Sequence, residues 1–87
     1  MPHGEFLMGV KRGCGSNLYV AIVRWDRKDE FMRIVKGRLG DAESIEGVMY
    51  SWEVEGRRVI YYPRDGRLLL EASDESELER LLSVLLP

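Results

Sequence analysis

Within residues 47–86 the apolar residues change period once, and that change constrains the fold more than any other feature of the chain. Val48, Tyr50, Trp52 and Val54 alternate with Met49, Ser51, Glu53 and Glu55, the two-residue repeat of a strand with one core face. Leu78, Leu81, Leu82, Leu85 and Leu86 recur at spacings of three and four, the stripe of a half-buried helix. Between them, Glu55-Gly56 reads as a hairpin turn, Arg57–Tyr62 as a strand, Pro63-Arg64-Asp65-Gly66 as a second turn and residues 67–72 as another strand. Asp74 with Glu77 three residues on reads as a capping box, and the acids Asp74, Glu75 and Glu77 suit the positive end of a helix.

The preceding half is less regular. Residues 18–25 (LYVAIVRW) read as a strand that is apolar on both faces, covered on both sides or meeting a partner on one. Asp26 reads as an N-cap, and Phe31, Ile34, Val35 and Leu39 form the stripe of a first helix that stops at Gly40. Residues 41–46 read as a polar connection with a short helical turn over 41–44. Residues 1–16 are glycine-rich around Lys11-Arg12 and Cys14, without sustained period, and read as a flexible leader in which Met8 could serve as a start. The expectation is a leader over 1–16 and one α+β domain over 17–87. Its order is β-α-β-β-β-α, an antiparallel sheet with two helices on one face.

At 87 residues, 45% hydrophobic and 32% charged, the chain has the composition of one globular domain. Its chemistry is sparse. Cys14 and His3 are the sole residues of their kinds, which excludes an internal disulfide and leaves too few ligands for a Cys/His zinc site. Serine or cysteine nucleophiles would have to rely on His3, close to the chain start. The run 10–16 (VKRGCGS) lacks the Gly-Lys-Ser/Thr of a phosphate loop. No bound metal and no cofactor are expected. There is no run of about 18 apolar residues and no secretory-type start, so a cytoplasmic location without membrane contact is expected. The chain holds no Gln, no Thr and one Asn (Asn17), with ten Arg to three Lys, a composition that fits a thermophile.

With the helices on one face, the other face of the sheet is open. Leu68, Leu70 and Ala72 are expected inward and Arg67, Leu69 and Glu71 outward. The third strand shows either Arg58, Ile60 and Tyr62 or Val59 and Tyr61. The first shows either Tyr19, Ala21, Val23 and Trp25 or Leu18, Val20 and Ile22. Tyr19, Trp25, Met49, Arg58, Tyr62, Arg67 and Leu69 are the candidate interaction residues, because mixed apolar and charged faces of this kind mark association.

The net charge of −2 hides an asymmetry: residues 1–40 carry eight basic and four acidic groups, residues 41–87 five and eleven. Arg24, Arg27, Lys28, Arg33 and Lys36 are a candidate nucleic-acid patch, joined by Lys11, Arg12 and Arg38, with Trp25 and Tyr19 to stack on bases. Glu53 and Glu55 are the candidate carboxylate pair for an enzyme. Nothing nearby completes a site, so the expectation is a protein without catalytic activity.

The run GVMYSWEVEG-RRVIYYPRDG-RLLLEASDESELERLLSVLL, with a strand and helix before it, resembles one half of the TATA-binding-protein fold. The junction Leu70-Glu71-Ala72-Ser73-Asp74-Glu75-Ser76-Glu77-Leu78 is also similar to the small dimerising subunit of the KEOPS tRNA-modification complex. The resemblance implies the fold and a tendency to pair. TATA-binding proteins carry two such repeats, which a homodimer would rebuild. Their DNA-wedging phenylalanines have no counterpart on these strands, since Phe6 falls in the leader and Phe31 on the first helix. The expected role is an interaction or dimerisation subunit, with homodimer or partner-subunit contacts, as an accessory of tRNA modification. Nucleic-acid binding is the alternative.

Overall fold

The computed structural model describes residues 6–13, 17–45 and 47–86. Six strands, β1 (Leu7–Arg12), β2 (Leu18–Val23), β3 (Glu43–Ile45), β4 (Met49–Val54), β5 (Arg57–Tyr62) and β6 (Arg67–Glu71), form one sheet. Helix α1 (Lys28–Leu39) lies between β2 and β3, and α2 (Glu75–Leu85) follows β6. The strands lie in the order β1-β2-β6-β5-β4-β3, and every neighbouring pair is antiparallel. The class is α+β.

Two strands exceed the expected β-α-β-β-β-α order, and both are edges. Residues 7–12, assigned from sequence to a leader, pair with β2 as β1. Phe6 and Leu7 are buried, and the Arg24 amide donates to the Phe6 carbonyl at 2.7 Å. The pairing skips a residue between Leu7 and Gly9, and this bulge breaks the alternation that would have revealed the strand. Residues 43–45, assigned to a polar connection and helical turn, pair with β4 as β3 while all three side chains stay exposed. Such a strand has no apolar period to read. His3 and Cys14 lie outside the described residues.

On the four central strands alternate residues are buried beneath the helices: Tyr19, Ala21 and Val23 on β2, Trp52 and Val54 on β4, Val59 and Tyr61 on β5, Leu68 and Leu70 on β6. Phe31 and Val35 of α1 and the five leucines 78, 81, 82, 85 and 86 close the core from the other side. The rings of Phe31 and Tyr61 meet at 5.1 Å, an arrangement favourable beyond area burial. Val48, expected inward, stands in the turn before β4 and is half exposed.

Helix α1 starts later than expected. Asp26 falls inside a 3-10 turn (Trp25–Arg27), and Arg27 holds the N-cap position without a capping side chain. In α2 the Asp74 carboxylate accepts from the Glu77 amide at 2.9 Å, as a cap should. The reciprocal bond is not made. The Glu77 carboxylate instead takes the Ser73 hydroxyl and the Arg57 guanidinium, tying the helix start to β5. Between β4 and β5, Glu55 and Gly56 have φ of 52° and 78°, the paired positive values of a two-residue I′ hairpin.

Candidate functional site

The alternation that buries one face of the sheet builds the other. From β2 it carries Leu18, Val20 and Ile22; from β6, Arg67, Leu69 and Glu71; from β5, Arg58, Ile60 and Tyr62; from β4, Met49, Ser51 and Glu53. β3 adds Glu43 and Ile45, opposite Ser51 and Met49. β1 adds Lys11, opposite Val20, and Gly9, opposite Ile22. Neither helix covers this side.

The register orders these groups into rows across the strands. The middle row runs Lys11, Val20, Leu69, Ile60, Ser51, Glu43. It has a cation at one edge, three aliphatic residues inside and an anion at the other edge. A second row runs Gly9, Ile22, Arg67, Tyr62, continued by Met49 and Ile45. A third holds Leu18 and Glu71, then Arg58 and Glu53; the Arg58 amide donates to Glu71 Oε1 at 3.2 Å. Ile22, Ile45 and the bulge residue Met8 are 38%, 60% and 65% exposed. Beside the bulge, Met8, Gly9, Lys11, Val20 and Ile22 line a shallow depression.

Of the seven residues singled out from sequence, Met49, Arg58, Tyr62, Arg67 and Leu69 share this face. Tyr19 does not. It points into the core at 5% exposure, and its hydroxyl accepts from Arg12 Nη1 at 3.2 Å. Trp25 lies beyond the end of β2 in the 3-10 turn and is 71% exposed, with Lys28 Nζ 3.8 Å from its ring centroid. The two open alternatives for strand facing resolve to Leu18, Val20 and Ile22 on β2 and Arg58, Ile60 and Tyr62 on β5. Sequence reasoning placed Lys11 in the basic patch and did not single out Glu43; it missed both as residues of this face, because each sits on a strand that the pattern did not show.

Of the residues expected in the basic patch, Lys11 alone reaches the outer face of the sheet. Arg33 and Lys36 are exposed on α1, in the layer behind the sheet, and Lys28 is engaged with Trp25. Arg24 precedes the 3-10 turn, and Arg27 lies 5.0 Å over the Phe6 ring with an ion pair to Glu30. Arg38 donates from Nε to the Val84 carbonyl at 2.8 Å and from Nη2 to that of Ser83 at 3.3 Å. Arg12 donates from Nη2 to the Ser73 carbonyl at 2.9 Å. The patch expected from sequence is thus split between the helix layer, structural contacts and, for Lys11, the sheet edge.

Glu53 and Glu55 do not form a carboxylate pair. Glu53 is on the outer face, whereas Glu55 occupies the hairpin turn beside Arg80 at 3.4 Å. Among the described residues no three His, Cys, Asp or Glu side chains gather as metal ligands, and no helix is long and apolar enough to cross a membrane. What the outer face offers is a broad, shallow, partly apolar surface with charges at its rim, suited to contact with another macromolecular surface rather than to enclosing a small molecule. Compared with known proteins, the chain matches no family model, no curated protein and no solved structure.

Proposed function

We propose that the chain is a non-enzymatic interaction subunit whose working surface is the outer face of its sheet. One observation carries this reading: Val20, Leu69 and Ile60 stand side by side at the middle of a sheet whose two helices both lie on the opposite face. Aliphatic groups set together in this way gain roughly 25 cal/mol for each Å² removed from water. Charged residues at the rim would set orientation more than affinity. The resemblance of the strand-to-helix junction to the small KEOPS subunit supports a place as an accessory of a tRNA-modification complex, working in the cytoplasm.

The test is site-specific crosslinking in the native cell, with a photoreactive residue in place of Leu69 or, as control, of Arg33 on α1. Protein adducts from position 69 and none from position 33 are expected. Adducts from neither position, or RNA alone from position 69, overturn the reading.

Nucleic-acid binding has one observation behind it, the exposed Trp25 with Lys28 over its ring and Arg33 and Lys36 on the same helix. Such a site belongs to the helix layer, since Glu43, Glu53 and Glu71 on the sheet face would repel phosphate. Salt-titrated binding of single-stranded and duplex probes tests it: loss of binding in Trp25→Ala would support the site, and no binding at low salt removes it.

A further inference from the structure

The middle row of the outer face is complementary to itself, and we infer that the surface it fits is a second copy of this chain. This deepens the interaction reading and rests on it. The sheet order β1-β2-β6-β5-β4-β3 has its centre between β6 and β5. A two-fold axis laid along the strands at that centre, in the plane between two stacked sheets, sets β6 on β5 of the other copy, β2 on β4 and β1 on β3. The middle row then meets its own reverse. Lys11 faces Glu43, Val20 faces Ser51 and Leu69 faces Ile60, and each contact occurs twice because the interface is isologous.

The adjoining row follows the same rule. Ile22 comes over Met49, Arg67 over Tyr62, and the Met8–Gly9 bulge over Ile45. Arg67 on Tyr62 brings a cation to an aromatic face. Met8 and Ile45, the two most exposed apolar residues of the sheet, stand on opposite edge strands, and this axis sets each over the other. In the third row, at the ends of the strands, Glu71 meets Arg58 and Glu53 comes over Leu18.

Aligned sheets pack with a rotation of roughly 30°, which displaces edge residues by a few ångström. Lys11 and Glu43 have side chains long enough to span that offset. A face of six strands, three to six residues long, presents roughly 500 Å² to a partner, so the pair buries on the order of 1,000 Å², near the lower bound for a specific interface. Assembly through the β1 edge would leave this face uncovered and would place no Glu43 near Lys11. The bulge at Met8 and the charge of Lys11 are also the devices by which edge strands resist such pairing.

Sedimentation equilibrium on the full chain up to about 300 µM, with Lys11→Glu, Glu43→Lys and their equimolar mixture, tests the arrangement. Both substitutions lie at exposed edge positions, and circular dichroism checks that each variant is folded. The wild type is expected to dimerise, and each single reversal to weaken the dimer about tenfold, because two rim pairs turn from attraction to repulsion. In the mixture every 11–43 contact is again between opposite charges, so heterodimers should recover to within about threefold of wild type. A monomeric wild type overturns the second copy as occupant. A wild-type dimer whose reversals are not rescued by mixing overturns the two-fold arrangement. In either case the interaction reading stands or falls separately, on the adducts formed at position 69.

Discussion

Val20 and Leu69 are paired across β2 and β6 on the face that neither helix covers, while Tyr19 and Leu70, the next pair on the same two strands, are buried beneath the helices. A shift of one residue therefore separates the part of the protein that holds the fold from the part available to a partner. Leucines 69 and 70 are expected to answer substitution differently. Leu70→Ala leaves a cavity in a packed core and should cost about 2–5 kcal/mol in urea unfolding. Leu69→Ser removes only half-buried surface and should cost the monomer less than about 1.5 kcal/mol, while weakening association.

Most of this division was legible in the sequence. Ser51 and Glu53 on either side of Trp52, and Arg67 and Glu71 around Leu68 and Leu70, show which face of β4 and β6 is wet. On β2 the pattern was silent, since Leu18, Val20 and Ile22 are as apolar as Tyr19, Ala21 and Val23. Only pairing with β6 tells them apart. The edge strands were hidden for opposite reasons. In β1 the bulge puts the alternation out of phase, and in β3 backbone pairing alone holds three exposed residues. Lys11 and Glu43 were thus in view as charges but not as the two ends of one row.

Glu55 takes a left-handed conformation, φ 52°, in a turn where Asn or Gly is at ease. Its contact with Arg80 is an exposed ion pair of little weight. Glu55→Asn is expected to raise stability by about 0.5–1 kcal/mol, seen as a higher urea midpoint with an unchanged slope. At Gly66, φ 72°, an added Cβ would meet the Val23 carbonyl at 3.2 Å, so Gly66→Ala should lower stability by about 1–2 kcal/mol, seen as a lower urea midpoint.

Arg38 joins the two helices. Its guanidinium donates to the carbonyls of Ser83 and Val84 in the last turn of α2, where carbonyls lack helical partners and negative charge accumulates. α2 has no basic residue of its own in that turn. Arg38→Ala is expected to cost about 1 kcal/mol, and Arg38→Glu more, with faster amide exchange concentrated at the end of α2 rather than at its start.

The Tyr61 hydroxyl sits in the core without a hydrogen-bond partner among the described residues. Burial, with a smaller contribution from the charge of Asp29, pushes its pKa up to about 12 from the usual 10. The native state therefore holds a proton that the unfolded chain releases at lower pH. The neutral phenol is favoured fully below about pH 10, and stability should fall as pH rises from about 10 to 12, by up to roughly 2–3 kcal/mol. Tyr61→Phe removes both the titration and the unsatisfied hydroxyl while keeping the ring against Phe31 at its 5.1 Å spacing. Near pH 7 the variant should be at least as stable as wild type, because no hydrogen bond is lost and a desolvated polar atom is gone. Above pH 10 its unfolding midpoint should decline less steeply than that of wild type. Parallel alkaline declines in the two proteins would show that Tyr61 ionises as readily in the folded chain as in the unfolded one.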